Sequence, residues 1–172
     1  NYVVHSPDWD NGATPNAGAL TWANGATGVA GAVSPANSLV GSNTGDMLGQ
    51  RRVVALSNGN YVALSPEWDN GAFVNAGAVT WGNGAAGVVG AVSTANSLVG
   101  AAQNDSVGSG GVVALNNGNY VVSSPNVYSG GAPKAGAVTW GNGATGIVGT
   151  VSAANSLVGA MPDDYVGNGG VV

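Results

Sequence analysis

The sequence predicts an all-β repeat protein of three similar units, each with four short strands. The motif NYVV or NYVA begins at Asn1, Asn60 and Asn119, which are 59 residues apart, and no insertion interrupts this period. Gly supplies 31 of the 172 residues, and no window has the 3.6-residue spacing of good helix formers. Asn-Gly pairs separate short apolar runs, as in β-hairpins. We therefore divide this single repeat domain, residues 1–172, into units 1–59, 60–118 and 119–172.

Each unit contains its predicted strands in the same order. The first two form a hairpin in VVALSNGNYVAL, where Ser57, Asn58 and Gly59 make the turn between two apolar runs. The third strand is AGAVTW, residues 76–81 in the second unit, and it ends at GNG. The fourth strand comes from GVVGAVS or from NSLVG, and the sequence leaves both open. The strands are almost continuously apolar, which indicates sheets covered on both faces.

The composition limits the functions that are open to the chain. With 3 Lys and Arg residues against 8 Asp and Glu residues, the net charge is −5, so we expect neither nucleic acid nor anionic lipid as a partner. Apolar stretches are broken by Gly, Ser and Asn well short of the roughly 18 residues of a membrane span. The absence of Cys excludes disulfides and thiolate chemistry. Because charged residues are only 6%, we expect a secreted or cell-surface protein whose signal lies outside this sequence.

No residue pattern predicts catalysis, a metal site or a cofactor. The single His, His5, has no His counterpart in the other units, so we interpret it as a side chain at a strand end. Asp46, Asp105 and Asp164 recur at the repeat period, and we expect them to accept hydrogen bonds from turn amides. The turn SNGN has no carboxylate, and the loop DWDNG loses both of its carboxylates in the third unit, so neither predicts a Ca²⁺ site. We expect no enzymatic activity.

The loops that follow each Ser-Pro pair contain the candidate ligand-binding residues. An exposed aromatic ring beside Asp and Asn can stack on a sugar ring while the polar groups bond its hydroxyls. The candidates are Trp9 and Asp10 in the first unit, Trp68 and Asp69 in the second, and Tyr128 in the third. Packing of each Trp against its own or the neighbouring sheet is the alternative that we favour, since aromatic side chains often serve local packing.

A second set of Trp residues recurs in the third strand, at Trp22, Trp81 and Trp140. These residues follow Val or Leu and Thr in a predicted strand, which is typical of packing positions. We expect them to lie between adjacent sheets, with each indole N–H bonded to a nearby acceptor.

The order of features in the unit resembles the FG-GAP repeat of integrin α-chain β-propellers and of related secreted, haemagglutinin-like bacterial surface proteins. Val107-Gly108 stands at the Phe-Gly position, Ser124-Pro125 stands at the Ala-Pro position, and AGAVTW follows. The calcium loop of that family is missing, because SNGN or NNGN fills its place. The resemblance implies propeller blades of four antiparallel strands in a structural or adhesive module with a cell-surface ligand. The alternative function is a lectin with repeated loop-Trp sites for a glycan.

Three blades are too few for a closed propeller, which usually has four to eight. Two chains would supply six, so we expect a homodimer with two-fold symmetry. The chain begins with second-strand residues Tyr2, Val3 and Val4, and it ends with first-strand residues Val171 and Val172. We expect these ends to pair as the two halves of one hairpin, which would complete the third unit. A β-trefoil or β-prism monomer is the alternative fold.

Overall fold

The computed structural model describes all 172 residues, and its regular structure consists of β-strands alone. In chain order the strands are β1 (Tyr2–Ser6), β2 (Ala19–Ala23), β3 (Leu39–Val40), β4 (Val53–Ala55), β5 (Tyr61–Ser65), β6 (Ala78–Gly82), β7 (Gly90–Ala91), β8 (Ser97–Val99), β9 (Gly111–Ala114), β10 (Tyr120–Ser124), β11 (Ala137–Gly141), β12 (Gly149–Thr150) and β13 (Leu157–Val158). The predicted all-β class is confirmed. The structure contains no helix with the length and hydrophobicity to cross a bilayer.

The strands form three sheets, one for each repeat. Sheet 1 has the order β1-β2-β3-β7, sheet 2 the order β4-β5-β6-β8-β12, and sheet 3 the order β9-β10-β11-β13. Strands that belong to one repeat pair antiparallel throughout. The two parallel pairs, β3 with β7 and β8 with β12, each join one repeat to the next.

The predicted hairpin forms at the Asn-Gly turn. β4 pairs antiparallel with β5, and Ala55 lies opposite Tyr61. The Gly59 N–H donates to the Leu56 carbonyl at 3.0 Å, which closes the turn. Gly59 has a φ of +87°, a conformation that glycine adopts without a Cβ clash. The prediction that this segment is a turn between two strands is therefore confirmed.

Both candidate segments for the fourth strand are strands, but they belong to different sheets. In the second unit NSLVG gives β8, which pairs antiparallel with β6 of its own sheet. GVVGAVS gives β7, which pairs in parallel with β3 of the preceding sheet, where Gly90 lies opposite Leu39. The expectation of a single fourth strand is thus incomplete, because the second segment joins two units.

The chain does not close on itself. Hydrogen bonds join sheet 1 to sheet 2 and sheet 2 to sheet 3, and none joins sheet 1 to sheet 3. Val171 and Val172 form no strand, and β1 pairs with β2 alone. The structure therefore shows three sheets joined in sequence, with neither a closed barrel nor a propeller, and the trefoil or prism alternative does not form.

The hydrophobic core lies between consecutive sheets. One cluster combines residues of sheets 1 and 2: Leu20, Leu39, Leu48, Ala63, Trp68, Ala78, Val92 and Val99. The other includes residues of sheets 2 and 3: Leu56, Val62, Val79, Leu98, Tyr120, Val122, Val127, Ala137 and Val151. β5 is buried along its whole length, whereas β1 at the end of the chain is largely exposed. Each unit therefore completes its core with residues of a neighbour, as in other repeat proteins.

Candidate functional site at the junction between units

Trp22 of β2 packs on the turn that follows β6. Its Nε1–H donates to the Gly84 carbonyl at 3.1 Å. Its side chain covers Gly87, where an added Cβ would lie 2.6 Å from the Trp22 Cβ, so only glycine fits. Trp81 repeats the arrangement one unit later and donates to the Gly143 carbonyl at 2.9 Å. The prediction that these Trp residues pack between sheets with a bonded indole N–H is confirmed for both.

Trp68 inserts into the core of the preceding unit. Its side chain is 4% exposed and belongs to the cluster that contains Leu20 and Leu39 of sheet 1. Val127 takes the same position in the third unit and is buried in the cluster between sheets 2 and 3. Trp9, at the same position of the first unit, is partly exposed. This position packs one unit on another, and Trp68 has no face open to a sugar ring.

Asp46 links its own turn to the next unit. Its Oδ2 accepts the backbone N–H groups of Ser42 and Asn43 at 2.8 Å each. Its Oδ1 accepts the backbone N–H of Asp69, in the following unit, at 2.9 Å. Asp105 forms the same bonds within its turn and at the second junction. The predicted role of these residues in accepting turn amides is confirmed, and the bond between units is an addition.

Burial determines the acidity of these two carboxyls. Desolvation raises the pKa of Asp46 above its usual value, and the backbone N–H groups that donate to the carboxylate reduce this effect. The same cause raises the pKa of Asp105, again against three backbone donors. Both residues are buried. Both carboxyls therefore link the stability of the chain to pH.

We expect the free energy of unfolding to decrease as the pH rises through the raised pKa values of Asp46 and Asp105. Between the usual carboxyl value of 3.8 and those raised values, the folded chain binds more protons than the unfolded chain, so a rise in pH favours unfolding. Urea denaturation at about pH 4.5 and about pH 7 measures the difference. Asp105→Ala should make this difference in the free energy of unfolding between the two pH values smaller. Greater stability at the higher pH would contradict the expectation.

Asp10 and Asp69, the acidic residues among the ligand-binding candidates, accept hydrogen bonds within their own loops. The Asp10 Oδ1 accepts the Asn16 N–H at 2.8 Å, and the Asp69 Oδ1 accepts the Asn75 N–H at 2.7 Å. Both Asn residues have positive φ, a conformation that Asn tolerates better than most residues. Tyr128 stands at the same position of the third unit and is half exposed. The structure thus spreads the five candidate residues over three separate loops.

The single histidine bonds to the backbone of its own unit. His5 lies in β1, and its Nδ1 is 2.9 Å from the Gly49 carbonyl oxygen. No group of three or more His, Cys, Asp or Glu side chains lies close enough together to hold a metal ion.

Sequence reasoning missed two parts of the junction. It did not place β7 and β12 in the sheet of the preceding unit, and it did not identify the carbonyl groups that accept the indole N–H. A glycine recurs at the position of this carbonyl group in each unit, at Gly25, Gly84 and Gly143. A Cβ on Gly84 would overlap the Gly59 carbonyl oxygen, and one on Gly143 would overlap that of Gly118. This recurrence of glycine could have indicated a close contact.

Comparison with known protein families gives one match, which covers most of the chain. A family described as "Repeat of unknown function (DUF5650)" matches residues 1–50, 55–109 and 114–168. No curated protein and no solved structure matches. The resemblance to FG-GAP repeats is therefore wrong. The dipeptides that suggested it are joined by a buried hydrogen bond, in which the Gly108 N–H donates to the Ser124 Oγ at 3.0 Å. The chain belongs to the DUF5650 family and contains three copies of its repeat.

Proposed function

We propose that the chain is a non-enzymatic structural and adhesive module of the cell surface or the extracellular space. The continuous bonding at each junction supports this proposal. Trp68 of one unit fills the core of another, the backbone of β7 extends the neighbouring sheet, and Asp46 accepts an N–H from the next unit. Units that stabilise each other in this way form extended arrays that resist unfolding.

The surface composition supports an extracellular location. Charged residues make up 6% of the chain, and Gly, Ala, Asn, Ser and Thr provide much of the remaining surface. Such a surface has few cationic side chains that could bind polyanions, and the net charge is −5. A role outside the cell, in contact with other surfaces, is consistent with these properties.

Single-molecule pulling tests the structural role. A chain held at its two ends should resist extension and then unfold in discrete steps, because each core is shared by two units. Each step should release about one unit of 59 residues, which is roughly 200 Å of extended chain. Smooth extension at low force, without steps, would contradict a load-bearing function.

Carbohydrate binding is the second candidate function. Trp9 is partly exposed and Tyr128 is half exposed, so both rings have area available for stacking on a sugar. A glycan array with the unmodified chain, Trp9→Ala and Tyr128→Ala tests this function. Loss of glycan binding in folded variants would support a lectin, and an unmodified chain that binds no glycan would exclude one from the glycans tested.

We also propose a more specific architecture, in which two chains form a closed six-bladed ring. It requires that Val171 and Val172 of each chain pair with β1 of the other, so that both ends of both chains are occupied. Light scattering separates the outcomes. A particle of twice the chain mass that does not grow with concentration supports the ring. Continued growth supports an open array, and a monomer contradicts both.

A further inference from the structure

Two adjacent arginines before β4 are cationic residues that the repeat does not require. Arg51 and Arg52 stand where the next repeat, 59 residues later, has Gly110 and Gly111. The last repeat again has glycines at these two positions. The two arginines are two of the three cationic side chains in the chain. Because the fold forms around glycine at the same place in another unit, the arginines have no general structural role in the repeat.

A cavity of about 280 Å³ lies beside the two arginines. Arg51 and Arg52 line it together with the apolar residues Leu64 and Pro66 and the hydroxyl of Ser109. No Asp or Glu side chain is part of its lining. All of its lining residues lie between positions 50 and 111, so neither end of the sequence contributes to it. The cavity is therefore cationic and is formed by an internal part of the chain.

The guanidinium of Arg52 has no partner. The single ion pair of the chain joins Arg51 to Glu67, and the side-chain hydrogen bonds of arginine also belong to Arg51. The Arg51 Nε and Nη2 donate to the Glu67 Oε1 at 3.1 and 2.7 Å. The planar set of N–H donors of a guanidinium matches the two oxygens of a carboxylate. Arg52 is thus available for an anion, whereas Glu67 neutralises part of the charge of Arg51.

The charge and the backbone of the cavity favour a carboxylate over a phosphate. With a net charge of −5, the chain repels an anion more strongly as the charge of the anion increases. Phosphate sites often use a set of free backbone N–H groups. Here the N–H groups of Ser109 and Gly111 donate to the carbonyls of Ser106 and Gly108, at 2.9 Å each. The cavity therefore suits an anion with a single charge.

The rest of the cavity has the chemistry to contact a sugar ring. The amide of Gln50 and the hydroxyl of Ser109 are exposed and can bond to sugar hydroxyls. Leu64 and Pro66 provide apolar surface for the C–H groups of the ring. Beside Gly111 there is open space, since no atom lies within 4 Å of the place of an added Cβ. The volume is just below the roughly 300–1,000 Å³ of sites for drug-sized ligands, so it suits one ring.

We infer that this cavity binds the carboxylate of a single acidic sugar, a hexuronate, through Arg52. Arg51 adds a second positive charge, which Glu67 limits. None of the lining residues belongs to the loops of Trp9 and Tyr128, so the site is separate from the sugar sites considered above. The inference does not depend on the structural role of the chain. It gives an extracellular module a site for glycans that end in a uronate.

An NMR titration with glucuronate tests the site. The unmodified chain should bind glucuronate, and Arg52→Gln should raise the dissociation constant about tenfold or more, because charge-assisted hydrogen bonds are lost. Lys134→Gln is the matched control, since it makes the same change in net charge outside the cavity. Circular dichroism verifies that each variant is folded. Equal affinities of the Arg52→Gln chain and the control chain would overturn the inference.

A second variant tests Arg51 and predicts an effect of opposite sign. Glu67→Gln removes the carboxylate that neutralises Arg51, so the affinity for glucuronate should rise about two- to fivefold. The fold should accept the amide, because the third unit has Asn126 at this position. A fall in affinity would contradict the contribution of Arg51.

Three further probes identify the ligand class. Glucose, acetate and inorganic phosphate should each bind about tenfold more weakly than glucuronate, because each lacks the carboxylate or the ring. Acetate or phosphate that binds as tightly as glucuronate would overturn the assignment to an acidic sugar. An unmodified chain that does not bind glucuronate overturns the inference, and Arg52 is then a charge that protects the edge strand β4 from aggregation. The pulling experiment tests the structural role independently.

Discussion

Trp68→Ala is expected to lower the free energy of unfolding by about 3–5 kcal/mol, the range for truncating a large aromatic residue in a core. Trp68 is 4% exposed and packs with Leu20, Leu39 and Val99 between sheets 1 and 2. Removal of the indole leaves a cavity that these two sheets cannot easily fill, because they are held together by the parallel pairing of β3 with β7. Urea denaturation followed by circular dichroism measures the loss.

The matched control for this substitution is Trp9→Ala, at the same position of the first unit. Trp9 is partly exposed and inserts into no preceding unit, so its truncation should cost considerably less. Trp68→Phe should also cost less than Trp68→Ala, because Phe retains most of the buried aromatic volume. It also loses no hydrogen bond, since the Trp68 indole N–H has no partner. Equal losses for Trp68→Ala and Trp9→Ala would show that the position does not stabilise the junction.

Asp105→Ala is expected to destabilise the chain by about 1–3 kcal/mol, since it leaves three part-buried N–H groups without their acceptor. The Asp105 carboxylate accepts the N–H groups of Ala101, Ala102 and Tyr128 at 2.9, 2.8 and 2.8 Å. The cost of burying the carboxylate, which also raises its pKa, offsets part of the benefit of these bonds. Denaturation at neutral pH measures the loss.

Asp164→Ala is the comparison that isolates the bond between units. Asp164 is exposed and accepts the two N–H groups of its own turn, but its Oδ1 has no partner in a following unit. Water can hydrate the two N–H groups that the substitution exposes. The loss should therefore be smaller than for Asp105→Ala. A loss of the same size would mean that the bond to Tyr128 adds nothing.

Local residue chemistry explains which parts of the fold could be predicted. The period of the repeat, the turn at Asn58-Gly59, the strand that contains Trp81 and the turn role of Asp105 all depend on residues close together in sequence. The partner of β7 could not be predicted in this way, because a two-residue parallel strand has no periodicity of its own. Its position depends on β3, in a different unit.

The environment of a loop Trp could not be predicted for the same reason. Trp9 and Trp68 lie in nearly identical sequences, SPDWDNG and SPEWDNG, yet one is partly exposed and the other is buried. Trp68 is buried because it packs with Leu20 and Leu39, which are distant from it in sequence. The FG-GAP resemblance failed similarly, since it relied on dipeptides such as Val107-Gly108 that many turns contain.

The exchange of strands between sheets gives the three units unequal anchoring. Sheet 2 contains β4 from the first unit and β12 from the third, and the second unit provides β7 to sheet 1 and β9 to sheet 3. The middle unit thus exchanges strands with two neighbouring units, and each outer unit exchanges strands with one. Among these three units, the middle one should therefore be the last to lose its structure in thermal fluctuations.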